Sequence, residues 1–424
     1  MLDRVTPPSV QNVPFAFRKP AKQVLRNGIP LYVIEGGGQE VVRVDFVFSV
    51  GQWHQNQKLQ ALFTCRMLRE GCQGYSSAAF AEQLDYYGAW LELSVAMNRT
   101  FVTLYTLKKF FPQTVDLVQH MLFGPTFPEE RLQTIRVNNK AQFMVNMQKG
   151  DVLAMRALRA NVYGVLHPCG MSAEIEDYDA LNTSLLADFY GRYYGSHNCT
   201  IYLSGCIDDM VISCIDSLFG GMEWGGTASA EERNYSISPA IARSTVIVHP
   251  ESVQSSIRMG CLLMDVKEAD YLPMRVLNTV LGGYFGSRLM KNVRENNGYT
   301  YHIGSDLITN TSQVMFMMNC EALADKTEEV ICEVRREMQR LQMQLVSDEE
   351  LRMVRNYMTG EICRNYEGAF SLTDAYIFME HLGLSQTHIE DTLEAIQTTD
   401  AVRLQQLAQQ YFHPELLYMV VVRP

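Results

Sequence analysis

The chain repeats itself, and the repeat limits its fold more than any single motif does. One half runs VVRVDFVFSV, KLQALFTCRMLREG, SSAAFAEQLDYYGAWLELSVA, RTFVTLYTL and FFPQTVDLVQHMLF. The other runs SSIRMGCLLM, ADYLPMRVLNTVLGG, FGSRLMKNVRENNGYTYHIGSD, SQVMFMMNCEAL and KTEEVICEVRREMQRL. Apolar spacing predicts strand, helix, helix–Gly–strand, strand, helix in both. Gly88 and Gly298 end the matching second helices, about half the chain apart. The closing segments also match: LLADFYGRYYGSHNCTIYLSG against RLQQLAQQYFHPELLYMVVVRP. Helices and antiparallel-type strands alternate without a βαβ rhythm, so the predicted class is α+β, with helices on one face of each sheet. The expected division is a first domain at 1–225, a linker at 226–240 and a second domain at 241–424. The linker falls in MEWGGTASAEERNYSISPA, which is rich in Gly, Ser and charge.

Composition narrows the function classes. A hydrophobic share of 47% with 20% charged residues suits a globular protein. The net charge of −11 argues against a nucleic-acid partner. No run approaches the roughly 18 apolar residues of a membrane span, and MLDRVTPPSVQNVPFAFRKP lacks the apolar core of a signal peptide. Ten scattered cysteines without a CxxC pair read as free thiols in a reducing compartment, and the expected location is cytoplasmic.

Familiar catalytic signatures are missing. The nine histidines include no i, i+4 pair, so there is no HExxH or HxxEH helix. His381 and His388 beside Glu380 read as loop and helix-cap residues. No phosphate-binding GxxxxGK[ST] and no GxSxG elbow occur. EGGGQE lies between two strands and reads as a hairpin turn. LGGYFGS reads as a tight corner between helices. Cys65, on a predicted amphipathic helix, reads as packing. One stretch resists a plain reading: FGSRLMKNVRENNGYTY. Leu289, Met290 and Val293 fall at helical spacing, Gly298 stops the helix, and Arg294 sits in the last turn. Arg294 suits the negative end of a helix dipole and Gly298 a helix cap, whereas Tyr301 could be a core strand residue.

The repeated halves and several strings resemble the pitrilysin-like peptidases of the M16 family, over roughly residues 20 to 424. The strings are NGIPLYVIE, LFTCRMLREG, LDYYGAWLELSVAMNR, GPTFPEERLQTIR, LGGYFGSRLMKNVRENNGYTY and SDEELRMVRNYMTGEI. The resemblance implies a clam-shell-forming subunit of two homologous domains. Active members carry HxxEH on the first domain's early helix, two His binding zinc and the Glu acting as general base. By that resemblance Leu62 and Arg66 stand at the two His, Cys65 at the Glu and Gln142 near the third ligand. Leu has no donor, and a permanent Arg cation repels Zn²⁺. The resemblance therefore implies no metal in this chain and no independent peptidase activity.

The family's second domain supplies an Arg and a Tyr seven residues apart, matched here by Arg294 and Tyr301. A guanidinium and a phenol suit a tetrahedral oxyanion and substrate positioning. The resemblance thus implies a non-zinc subunit of a heterodimeric metallopeptidase. Its partner would be a homologous HxxEH-bearing chain that holds the zinc, and its substrate an unfolded peptide added to a sheet edge such as AWLELSVA. The alternative is a catalytically inactive structural or peptide-binding protein, with a homodimer open to the isolated chain. A third reading, an unfamiliar enzyme built around Cys65, stands behind both.

Overall fold

Each half of the chain folds around its own sheet in the computed structural model, which describes residues 17–228 and 233–424. Residues 229–232 of the expected linker, and the first 16 residues, lie outside the described residues. The strands are β1 (Ala21–Val24), β2 (Pro30–Glu35), β3 (Val41–Phe48), β4 (Gly71–Cys72), β5 (Tyr75–Ser76), β6 (Trp90–Val95), β7 (Thr100–Leu107), β8 (Cys199–Gly205), β9 (Ser244–Val248), β10 (Gln254–Asp265), β11 (Thr300–Ile308), β12 (Gln313–Leu323) and β13 (Tyr418–Arg423).

The first sheet has the order β1-β2-β8-β3-β7-β6 and the second β11-β12-β10-β13-β9. Read from the opposite end, the second sheet repeats the first without β1. The parallel pair β2–β8 corresponds to β9–β13, and the remaining pairs in both sheets are antiparallel. The repeat predicted from the sequence is thus a repeat of topology. One local expectation is corrected: EGGGQE does not close a hairpin, because β8 lies between β2 and β3 and pairs with both. Nearest-neighbour turn chemistry cannot register a strand that arrives from residues 199–205.

The halves also exchange helices. Gly150–Tyr163, from the first half, lays Ala154, Leu158 and Val162 against Met315, Met317, Val420 and Val422 of the second sheet. Those three positions are four residues apart, one stripe of a helix. Ala369–Leu382, from the second half, packs Ile377 onto Val47 and Tyr202 of the first sheet. There Arg43 pairs with Asp45 through two bonds of 2.8 and 2.9 Å and reaches across to Asp374 at 2.5 Å and the Phe370 carbonyl at 3.2 Å. Thr103 donates to Asp45 at 2.7 Å. Burial pushes the Asp45 carboxyl above its ordinary range, and the Arg43 charge opposes that shift.

Candidate functional site

The first candidate segment is the helix Gln60–Met67, which lies against edge strand β6 and is mostly buried. Leu62 is half-buried and packs on the apolar core. Cys65 is fully buried, its sulfur 4.0 Å from the Ser94 carbonyl oxygen of β6. Burial pushes its thiol up to about 12, so it stays protonated and unreactive at neutral pH. The Arg66 guanidinium hydrogen-bonds the side-chain oxygen of Asn139. Asn139 lies on the helix Glu129–Asn146, one turn before Gln142. Gln142 itself is exposed and donates to Asn146 at 3.1 Å. Among the described residues no group of three or more His, Cys, Asp or Glu could hold a metal ion. A thioether-free apolar chain, a protonated thiol and a bound guanidinium do not fit zinc, and no chemical step passes through a metal at this helix.

The second candidate segment is built with more care. Ser287 caps a helical turn in which Leu289, Met290 and Val293 are buried in the second core, as their spacing predicts. The turn widens over Met290–Asn296 into a π-helix, with Asn297 N–H bonded to the Asn292 carbonyl five residues back at 3.1 Å. Such turns are rare and cluster at functional sites. Gly298 ends it in the left-handed region at φ 66, and Tyr299 N–H returns to the Val293 carbonyl at 3.0 Å. Two polar anchors hold the turn. Arg288 grips Glu350 through two bonds of 2.9 Å, and Asn292 donates to Glu333 and Glu337 at 2.9 and 2.7 Å.

Beyond Gly298 the chain enters edge strand β11. Thr300 pairs with Ala322 and Ile303 with Cys320, so Tyr301 and His302 share the single partner Glu321. This is a β-bulge, a device that re-aims side chains. The Thr300 hydroxyl secures it by donating to the Glu321 carbonyl at 2.5 Å and accepting from His302 N–H at 3.1 Å. The two tyrosines separate although residues two apart share a face in a regular strand: Tyr299 precedes β11 and packs on the core, and Tyr301, in the bulge, is 83% exposed.

Arg294 then stands between two rings. Its guanidinium carbon is 4.5 Å from the centre of Phe285 and 5.4 Å from that of Tyr301. Phe285 comes from LGGYFGS, which is a corner between helices as predicted, and is 62% exposed. The corner is pinned to β11 by Ser305 N–H donating to the Gly282 carbonyl at 3.1 Å and by Asn278 donating to the Ser305 carbonyl at 3.0 Å. Among the described residues the Arg294 side chain makes no hydrogen bond and no ion pair. Its half-buried guanidinium keeps its N–H donors unspent, next to an exposed phenol. Phe285 carries no motif signal; only the corner's attachment to β11 brings it into the site. No hydrogen bond, ion pair or ring contact joins this corner to Leu62, Cys65, Arg66 or Gln142.

The two topologically equal halves form a fold similar to that of solved M16-type peptidase proteins. Residues 180–358 match the family described as "Peptidase M16 inactive domain". The Bacillus subtilis protein named "Uncharacterized zinc protease YmxG" is 21% identical over 391 residues, 91% of this chain and 94% of that one. The Helicobacter pylori "Non-peptidase homolog YmxG" is 21% identical over 253 residues, 59% of this chain and 57% of its own. The solved structure of a peptidase M16 inactive domain from Pseudomonas fluorescens superimposes with a TM-score of 0.84 at 22% identity, covering 96% of this chain and 98% of that one. The chain is thus similar to the M16 inactive domain over residues 180–358 and shares the M16-type fold over nearly its whole length.

Proposed function

We propose that the chain is the non-zinc subunit of a two-chain M16-type peptidase and supplies Arg294 and Tyr301 to a partner that carries HxxEH. The observation that carries this reading is the unpaired Arg294 guanidinium held between Phe285 and the exposed Tyr301. A buried structural arginine consumes its donors; this one keeps them for a ligand. Facing a partner's zinc-bound water, the guanidinium and phenol would stabilise the tetrahedral oxyanion formed on the scissile carbonyl and hold the peptide backbone in register. The edge strand β6 would accept the unfolded peptide as an added strand. Ten free thiols and no disulfide support a reducing, cytoplasmic location. Among the described residues no helix is long and apolar enough to cross a membrane.

The deciding experiment is a quenched-peptide assay of this chain alone, of an HxxEH-bearing homologue from the same genome, and of the mixture, with zinc analysis of each. Activity confined to the mixture, with zinc only on the homologue, supports the split site. A stable complex without hydrolysis moves the reading to a peptide-holding protein. The name of the Helicobacter pylori relative, a non-peptidase homologue, favours that second reading.

A further inference from the structure

A cavity of about 650 Å³ lies where the two halves and the linker meet. The first half contributes Asn98 and Arg99, the linker Arg233, and the second half Lys267, Glu380 and His381. Three permanent cations thus face one carboxylate, in a chain whose net charge is −11. Arg99 is 3.8 Å from Glu380, too far for a strong pair. Arg233 spends its donors on the Gln55 carbonyl and Asn56 but keeps its charge on the cavity wall. Lys267 makes no side-chain hydrogen bond or ion pair among the described residues. Its ammonium rests against the Gly383 turn, 3.1 Å from where a Cβ on that glycine would stand. Two side-chain atoms on the wall are buried without a partner: His381 Nδ1 and Asn98 Oδ1. The His381 nitrogen, as the Nδ1–H tautomer, can donate to an anion, whereas the Asn98 oxygen only accepts and calls for a water.

The histidines report the same field. Burial pushes His381 down to about 4, with the Arg99 charge acting in the same direction. Burial and then the Arg233 charge do the same to His54, which also lines the cavity and falls to about 4. Both rings stay neutral, and the excess positive charge of the wall is left uncompensated. A recess of this volume suits a metabolite-sized ligand.

We propose that this interdomain cavity binds a small polyanion, phosphate- or carboxylate-bearing, gripped by the Lys267 ammonium and the Arg99 guanidinium, and that its occupancy ties the two halves together. The proposal is independent of the role of Arg294 and Tyr301, which do not line this cavity.

The test is calorimetric titration of the full chain with sodium pyrophosphate and, separately, with sodium citrate, at ionic strength matched with sodium chloride. The expected result is saturable binding of at least one anion, one per chain, with an unfolding midpoint that climbs with anion concentration. The tighter of the two identifies the ligand chemistry. Lys267→Gln and Arg99→Gln should each weaken binding about tenfold or more, as loss of a charge-assisted contact does. Arg99→Lys should restore most of it. Glu380→Gln removes the only opposing carboxylate among the described wall residues and should tighten binding, while the exposed Lys19→Gln should leave it unchanged. Stabilisation that follows ionic strength alone, or equal affinity in the wild type, Lys267→Gln and Glu380→Gln, overturns the proposal.

Discussion

Arg294 has aromatic neighbours on two sides and no anion, and that determines how it responds to substitution. Cation–π contacts at exposed sites contribute only about 0.5–1 kcal/mol. Arg294→Ala and Tyr301→Phe should therefore leave the unfolding midpoint nearly unchanged. In the reconstituted peptidase each should lower kcat by about 10²-fold, the typical cost of losing one oxyanion donor. Steady-state assays of the mixed chains beside thermal melts check both halves of that expectation. Wild-type turnover in both variants would remove the catalytic role. Cys65 gives a second prediction. With its thiol buried and pushed up to about 12, it should resist iodoacetamide at pH 8 in the folded chain, whereas exposed Cys332 should be alkylated. Peptide mass spectrometry reads both sites at once, and labelling of Cys65 at the rate of Cys332 would reopen an enzyme built on that thiol.

At the scale of elements, Gly298 links the helix to the strand that carries Tyr301. A Cβ there would meet nothing within 4 Å, so the only obstacle is its φ of 66. Gly298→Ala should cost about 1 kcal/mol, the penalty of a left-handed non-glycine residue. Gly88, at φ 61 and equally free of contacts, should cost the same. Matched urea titrations of the two variants test this. Much of this corner is legible in the sequence: the buried stripe of Leu289, Met290 and Val293 and the glycine stop follow from local periodicity and backbone sterics. The π-turn, the bulge at Tyr301 and His302 and the Phe285 contact are not legible there. Each depends on how β11 pairs with β12 and on which corner lies beside it, and neither is encoded by neighbours in sequence.

For the whole molecule, the exchanged helices make the halves interdependent. Arg43 is the polar link, tying buried Asp45 to Asp374 of the other half. Arg43→Met would strand Asp45 with only Thr103, and removing one partner of a buried pair costs about 3–5 kcal/mol. Chemical denaturation should show a loss of that size, with both halves still unfolding in one transition. A pH effect belongs to the same scale. His54 and His381 are held down to about 4, against an ordinary 6.5. The unfolded chain therefore takes up these protons first as pH falls. Their contribution to stability is complete above about pH 6.5 and is lost progressively toward pH 4. His54→Gln combined with His381→Gln should flatten the urea midpoint between pH 7 and 5, and an unaltered slope would show that neither ring titrates as placed.

The sequence by itself determined the two-fold repeat, the order of elements within each half, the absence of an HxxEH helix, and the helix–Gly–Tyr corner. These rest on residue identity and on contacts within a turn or a strand, where chemistry is local. Only the tertiary structure decided that β8 separates β2 from β3, that Asn139 meets Arg66, that each half lends a helix to the other's sheet, and that Arg294 lies between Phe285 and Tyr301. Those are pairings between distant segments, chosen by the burial of complementary faces, and no window along the chain contains both partners.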